Sequence, residues 1–314
     1  MGTTNPPLLE QRVLVIIHDA VIPFEGGRKL HQVLGWNDPD DLARRYIDDV
    51  RAASHGLVRY AIADRVEVDG FPVKQDGFVY TPRGYLANWR ARSGFHQPDA
   101  VDYHRLLAEF DVIPRVNRGV LDEVWLFGFP YAGYYESIMA GPDAYWCNAP
   151  PLPAWPAVGP AVGPAVGPAT RRFVIMGFNY ERGVGEMLED LGHRAESILS
   201  HTFSGTHGDA NLWDRFTRYD RLHPGRAECG NVHFAPNSLR DYDWGNRRRV
   251  PSRCDDWYNY PNFKATVREV DCHEWGDGDI RLHHLWWLGH FPHLPGSTAG
   301  RLNNWWEYVI APDR

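Results

Sequence analysis

Hydrophobic residues in the first 200 positions follow patterns that predict strands alternating with helices. The β-branched run Arg12–His18 is typical of a buried central strand, and Leu121–Phe129 and Arg172–Phe178 predict two more. Asn37–Ala53 predicts a helix, because Pro39 suits a first turn and the apolar residues behind it fall on one face. Strands that alternate with helices along a chain favour a layered α/β core.

Weaker patterns occupy the intervals between these segments. Leu57–Val68 predicts a strand pair or one bent strand, and Asp99–Phe110 predicts a second helix. A glycine-rich turn at Gly128–Gly133 is expected to lead into a short helix that ends at Glu136. The most regular helical pattern in the chain covers Val184–Leu199.

A short repeat interrupts this alternation. The unit Pro-Ala-Val-Gly occurs three times in residues 156–167. Proline at every fourth position excludes a helix and weakens a strand, so residues 151–170 are expected to form an extended linker or surface loop.

Regular periodicity nearly disappears after residue 200, where aromatic residues and histidines accumulate. The chain has 13 Trp, 15 Tyr, 14 Phe and 15 His, and only two strand-like fragments remain, Ala265–Val270 and Ile280–Trp287. The rings either hold a loop-rich region together or line a groove that stacks on sugar or peptide side chains. We therefore expect an α/β (or α+β) fold. Residues 1–200 would form the sheet-and-helix core, and residues 201–314 a long irregular, aromatic-rich cap packed on it.

Charge and cysteine content narrow the classes of function. The net charge is −7 and the longest basic run is Arg247–Arg249, which argues against a nucleic-acid partner. No segment has the roughly 18 to 20 apolar residues that a membrane helix needs, so no membrane association is expected. The four cysteines form no CxxC pair but could form two disulfides. A secreted or extracytoplasmic location is therefore favoured, with a cytoplasmic one as the alternative.

One face of the helix predicted at 184–199 carries the strongest candidate chemistry. At 100° per residue, Glu186, Glu189, His193 and Glu196 fall within an arc of about 80°. Apolar side chains gather on the opposite side. The polar face is either a metal-binding face or a solvated acidic face in which His193 pairs with neighbouring carboxylates.

Residues 187–196, Met-Leu-Glu-Asp-Leu-Gly-His-Arg-Ala-Glu, resemble the active-site helix of the zincin metallopeptidases. The HExxH motif of that family places two histidines one turn apart on a zinc ion, with the glutamate as general base. In this chain Glu189 stands at the first histidine position, Asp190 at that of the base and His193 at the second histidine. The resemblance implies that Glu189 and His193 ligate zinc and that Asp190 moves the proton.

Further candidates surround this helix. His201 and His207 follow it closely enough to be additional metal ligands, and Glu196 is a second candidate proton carrier. Glu123 and Glu136 flank a predicted central strand and could act as the paired carboxylates of a glycoside hydrolase. The sequence thus favours a metal-dependent, peptidase-like hydrolase with zinc and a polypeptide substrate. The alternative is a glycan-acting protein, either a glycosidase or a carbohydrate binder with a Trp-lined groove.

Overall fold

The chain forms eleven strands and nine α-helices within residues 5–153 and 167–313, which the computed structural model describes. The strands are β1 (Leu9–His18), β2 (Val21–Ile22), β3 (Arg28–Lys29), β4 (Val58–Val68), β5 (Glu123–Gly128), β6 (Ser137–Ala140), β7 (Phe173–Asn179), β8 (Val250–Ser252), β9 (Arg268–Val270), β10 (His293–Thr298) and β11 (Arg301–Asn304). The helices are α1 (Leu30–Leu34), α2 (Pro39–Ala53), α3 (Pro82–Ala91), α4 (Tyr103–Glu109), α5 (Val112–Asn117), α6 (Val184–Phe203), α7 (Leu212–Phe216), α8 (Ile280–Gly289) and α9 (Trp305–Ile310).

Five of these strands form one sheet in the order β4-β1-β5-β7-β6. Strands β4, β1, β5 and β7 are parallel, and β6 runs antiparallel to β7 at the edge. From β1 the chain crosses to β4 on one side, and it then returns to place β5 and β7 on the other. The strand order therefore reverses between β1 and β5, which in open α/β sheets is where ligands bind.

Helices cover both faces of this sheet. In β1, Val13 and Val15 belong to one hydrophobic cluster, and Leu14 and Ile16 belong to a second one on the opposite face. Helices α2 and α6 contribute to the first cluster, and α4 and α5 to the second. The expected α/β fold is thus confirmed as three layers. A β1 buried on both faces explains its continuous β-branched sequence.

The most regular patterns predicted their elements well. The runs that predicted β1, β5 and β7 all form strands of the central sheet. In α2, the Asp38 side chain accepts hydrogen bonds from the backbone N–H groups of Asp40 and Asp41, so the predicted helix start has a side-chain cap. Helix α6 is longer than expected and ends at Phe203, and Leu57–Val68 forms the single strand β4.

Two local predictions were wrong, and a third holds with a later start. No helix ends at Glu136, which lies in a loop just before strand β6. The predicted second helix begins later, as α4, and is followed by the separate helix α5. The apolar run Ile280–Trp287 is the helix α8 and not a strand, and Asp279 caps it through a 2.8 Å hydrogen bond from Leu282 N. An apolar run of this length fits a buried strand and a buried helix equally well.

Residues 201–313 are rich in loops. In this described part of the chain there are two short antiparallel ribbons, β8–β9 and β10–β11, and short helices. Their tryptophans do not form an open groove, since Trp257, Trp275, Trp287, Trp305 and Trp306 are each less than 2% exposed. Residues 156–166 of the Pro-Ala-Val-Gly repeat lie outside the described residues. In the described ranges, no helix has the length and apolar character needed to cross a membrane.

The cysteines contradict the expected disulfides. Cys147, Cys229, Cys254 and Cys272 are all free thiols, and all are buried. Buried thiols behave as small hydrophobic side chains, which accounts for their place in the core. The sequence argument for an oxidising compartment therefore loses its structural basis.

Candidate metal centre

A cavity of about 460 Å³ opens beside the carboxyl ends of β5 and β7. One wall is the loop that follows β5, residues 129–136, and the other is the first half of α6. Gly177 in β7 lets this loop pack directly on the sheet, because a Cβ there would lie 2.4 Å from the Tyr135 carbonyl oxygen. The cavity thus lies outside the carboxyl ends of two parallel strands, the edge at which open α/β sheets bind ligands.

Three side chains at the edge of this cavity have the composition of a metal centre. Ligand atoms of Glu189, His193 and His233 all lie within 4.8 Å of one another. Glu189 Oε1 is 3.2 Å from His233 Nε2 and 4.0 Å from His193 Nε2. Ligand atoms on a tetrahedral zinc ion, with bonds of about 2.0–2.1 Å, are about 3.3 Å apart. Small side-chain adjustments would therefore bring all three onto one ion.

Carboxylates orient both imidazole rings. His193 Nδ1 is 3.2 Å from Glu196 Oε2, and His233 Nδ1 is 3.1 Å from Asp241 Oδ1. If a cation takes the place of the proton on Nε2, a carboxylate beside Nδ1 holds the remaining ring proton on that nitrogen. Both Nε2 atoms are the ones that approach Glu189. The arrangement matches the carboxylate–histidine–metal pattern of known zinc sites.

The turn that carries His233 is tied to α6. The Asn231 side chain accepts a 3.1 Å hydrogen bond from His233 N, which fixes the turn locally. Glu196 Oε1 accepts a 3.2 Å hydrogen bond from Val232 N, so the same residue that orients His193 also holds this turn. Glu196 is therefore a positioning residue in this structure.

Tyr242 completes the group. Its hydroxyl donates a 2.8 Å hydrogen bond to Glu189 Oε1 and lies 3.0 Å from His233 Nε2. The Tyr242 ring also packs against the His233 ring, with centroids 4.4 Å apart. The hydroxyl thus contacts two of the three prospective ligands.

The electrostatics of the centre favour a positive charge. Partial burial of Glu189 favours the neutral acid, but hydrogen bonds from His233 and Tyr242 hold its pKa below the ordinary value. The bond to Glu189 in turn raises the pKa of His233. Burial opposes charge on His193, yet its hydrogen bond to Glu196 raises the pKa of this imidazole. The carboxylates of the centre stabilise protons on both rings, and a cation would replace those protons.

Two more carboxyl groups face the cavity. Asp190 lies in its wall, and burial together with the charges of Glu136 and Glu189 raises its pKa well above the ordinary value. Glu136 is exposed at the rim and accepts a hydrogen bond from Asn148. A carboxyl group with a raised pKa can hold a proton near neutral pH, which general acid–base chemistry requires.

The other sequence-predicted residues lie elsewhere. Glu123 is the first residue of β5, is 1% exposed and forms a 2.7 Å ion pair with Arg194. It is therefore not paired with Glu136 across a cavity. His201 lies two turns beyond His193 and stacks on Tyr145, with ring centroids 3.8 Å apart. His207 is exposed beyond the end of α6. Neither histidine belongs to a three-residue ligand group within the described ranges.

Sequence reasoning missed His233, Tyr242 and Asp241. They lie in an irregular segment about 30 to 40 residues beyond the end of α6, where no periodicity indicates which side chains meet that helix. The sequence favours His201 and His207 because they follow His193 closely, whereas a turn far along the chain supplies the third prospective ligand. Only the presence of an unassigned histidine with neighbouring acidic residues could have pointed there.

Comparisons with protein-family models, with curated proteins and with solved structures find no significant match to this chain. The likeness to zincins therefore stays a local resemblance of one helix. Any functional argument has to rest on the centre itself.

Proposed function

We propose that this protein is a metal-dependent hydrolase in which Glu189, His193 and His233 bind a divalent cation of the zinc class. The observation that carries the proposal is that two imidazoles and one carboxylate meet at the edge of a cavity. Two histidines and one glutamate form a ligand set of catalytic zinc sites, in which the fourth position is left for water or substrate. Such an ion polarises a carbonyl group and lowers the pKa of a bound water.

The remaining residues have separate roles in this proposal. Asp190 carries the proton that is moved during hydrolysis, and Glu136 is the second candidate because it lines the same cavity. Tyr242 donates its hydroxyl proton to Glu189 and so holds this prospective ligand in place. Glu196 and Asp241 keep the two imidazoles oriented. A peptide bond, with its polarisable carbonyl, is the substrate that this arrangement suits.

Removing a prospective ligand tests the metal centre. Zinc affinity should fall by about tenfold or more in each of three variants, Glu189→Gln, His193→Ala and His233→Ala. Loss of a residue that only supports a ligand already costs about tenfold, so loss of a ligand should cost at least as much. Calorimetric titration of chelator-stripped protein with zinc measures both the affinity and the number of ions bound.

His201→Ala is the matched control, since it removes the same residue type from the same helix two turns away. It should leave the titration unchanged. Zinc binding by all three ligand variants at the wild-type affinity and stoichiometry would rule the centre out.

Hydrolysis is tested separately from binding. Zinc-loaded protein should cleave members of a panel of fluorogenic peptides, and Asp190→Asn should reduce the rate by about 10² to 10⁴ while zinc affinity is retained. A protein that binds zinc at these residues but cleaves no peptide, ester or glycoside would keep the metal centre and refute the hydrolase.

A glycan substrate is the second candidate, and one observation favours it. Phe129, Tyr131 and Tyr134 line the same cavity as Asp190 and Glu136, so aromatic rings and carboxyl groups share one space. Rings of this kind stack on sugar faces, and paired carboxyls hydrolyse glycosidic bonds. Glycoside substrates, tested beside the peptides, separate the two candidate functions. Cleavage of glycosides alone, with Glu136→Gln inactive, would favour a glycan substrate.

A further inference from the structure

A second group of metal-type ligands lies away from the cavity, between the segment after β8 and the end of α8. Cys254 begins a 3-10 helix that spans Cys254–Asn259, and His290 is the residue that ends α8. Ligand atoms of Cys254, Asp255 and His290 all lie within 4.8 Å of one another. Cys254 and His290 are 0% and 2% exposed.

The imidazole of His290 is arranged as a ligand. Its Nδ1 lies 2.6 Å from the carbonyl oxygen of Trp286, an acceptor, so the ring proton is on Nδ1. Its Nε2 is buried and has no hydrogen-bond partner in the described parts of the chain. That nitrogen is 3.8 Å from Asp255 Oδ1, which is too far for a hydrogen bond. A buried lone pair that faces a carboxylate is unfavourable unless a proton or a metal cation lies between them.

The distances match those around one ion. Cys254 Sγ is 3.6 Å from Asp255 Oδ1. On a tetrahedral zinc ion with Zn–S of about 2.3 Å and Zn–O of about 2.0 Å, these atoms would be about 3.5 Å apart. The 3.8 Å between Nε2 and Oδ1 exceeds the tetrahedral spacing by only a few tenths of an ångström.

We propose that Cys254, Asp255 and His290 form a second metal site, for a thiophilic cation such as zinc. Thiolate and imidazole ligands together select zinc-type ions over calcium or magnesium. Asp255 is 37% exposed, which gives the ion access from solvent and leaves room for a water as fourth ligand. The site would join the 3-10 helix to the end of α8, a cross-link in the region where no cysteines form a disulfide.

Neighbouring groups are compatible with this assignment. Arg268 donates two hydrogen bonds to Asp255, of 2.5 Å and 3.0 Å, and it also pairs with Glu274, so its charge is shared between two carboxylates. Ligating carboxylates are commonly held by hydrogen bonds of this kind. Burial raises the pKa of the Cys254 thiol to about 12, so the thiol proton must leave to solvent as the metal–sulfur bond forms.

A cobalt–thiolate band distinguishes this site from the centre at Glu189, His193 and His233. Chelator-stripped, reduced protein is titrated with Co²⁺, and a cobalt–thiolate bond gives a charge-transfer band in the near ultraviolet. The centre at Glu189, His193 and His233 has no thiol and cannot produce that band. Failure of one proposal is therefore distinguishable from failure of the other.

The expected result is a band in the wild-type protein that is lost in Cys254→Ser and kept in Cys272→Ser. Cys272 is the matched control, because it is also buried and belongs to a different thiol group with Asp271 and His273. A band that disappears in Cys272→Ser and persists in Cys254→Ser would overturn the proposal.

Two further measurements keep the test valid if Cys254→Ser does not fold. The first is the titration of the wild-type protein. If no band appears at saturating Co²⁺ while circular dichroism shows that the protein is folded, the proposed site is refuted. His290→Gln keeps the thiol but removes the imidazole, and should weaken Co²⁺ binding in the band titration by about tenfold or more. An unchanged titration in that variant would also contradict the proposal.

Discussion

Individual carboxylates in this protein differ in role according to the partner that each one meets. Glu123 meets the Arg194 guanidinium beneath the sheet, and the buried pair holds α6 to β5. Glu189, on the same helix as Arg194, meets His233 at a cavity instead. Asp190 has a raised pKa, because of burial first and the charges of nearby carboxylates second. Neighbouring positions on α6 therefore lie in a buried ion pair or face the cavity, depending on contacts that lie outside the helix.

His18 should make the folded protein sensitive to mild acid. The residue is 5% exposed and its Nδ1 lies 2.7 Å from the Tyr134 hydroxyl, while burial lowers its pKa to about 4. The unfolded chain binds this proton near pH 6.5, so the stabilisation is present above pH 6.5 and is lost as the pH falls towards 4. The loss should be about 3 kcal/mol. Urea unfolding at a series of pH values measures it.

His18→Asn removes the titrating group but keeps an oxygen that can accept the Tyr134 hydrogen bond. Its unfolding free energy should fall less steeply between pH 6.5 and 4 than that of the wild type. His207→Asn, at an exposed histidine, should follow the wild-type curve. Parallel curves for wild type and His18→Asn would show that His18 does not contribute.

Helix α6 connects the core to α8 and to the 231–234 turn, because it is close-packed on more than one side. Its apolar residues join the large hydrophobic cluster, and its polar face lines the cavity. Gly185 and Gly192 lie where α8 and the 231–234 turn approach most closely. A Cβ on Gly185 would lie 2.6 Å from Ile280 Cγ2 and 3.0 Å from the backbone nitrogen of Arg281. The spacing of these elements therefore depends on glycine in the helix.

Gly192→Ala should destabilise the protein, although alanine normally favours a helix interior by about 1 kcal/mol. The new Cβ would lie 2.6 Å from Val232 Cγ2, next to the turn that carries His233. Overpacking of this kind costs about 1–3 kcal/mol, and the displaced turn should also weaken zinc binding. Urea unfolding and the zinc titration measure the two effects.

Gly205→Ala is the control, because no atom lies within 4 Å of a Cβ at that position. Its stability should stay within about 0.5 kcal/mol of the wild type. A stabilised Gly192→Ala variant with normal zinc affinity would contradict the close packing.

At the scale of the molecule, the loop-rich C-terminal part shares its core with the sheet. One hydrophobic cluster contains Val15 and Leu191 together with Trp257 and Trp305. Arg281 on α8 forms hydrogen bonds of 2.6 Å and 2.7 Å with Asp49 on α2, and the Arg194 side chain donates to the carbonyl oxygen of Val309. These contacts pack residues 201–313 against the sheet-and-helix core.

Unfolding should therefore be a single transition. Tryptophan fluorescence, dominated by the C-terminal rings, and far-ultraviolet circular dichroism, dominated by the helices, should give coincident urea curves. Arg281→Leu should move both curves together to lower urea concentration. Two separated transitions would show that residues 201–314 unfold as an independent unit.

The sequence by itself determined the elements whose patterns are local. The strands β1, β5 and β7, the helix α2 and the two faces of α6 all follow from residues close together in the chain, because strand and helix periods repeat every two and 3.6 residues. The same periodicity placed Glu189 and His193 on one face. Local pattern failed at α8, where an apolar run is compatible with both periods.

Only the tertiary structure decided which distant residues meet that face. His233 reaches Glu189 through a turn held by Asn231 and Glu196, and no sequence period links positions about 40 residues apart. Burial against Arg194 likewise removed Glu123 from the candidate chemistry. Contacts of this kind depend on how layers pack in three dimensions, so the ligand set of the candidate centre is a property of the fold and not of any single segment.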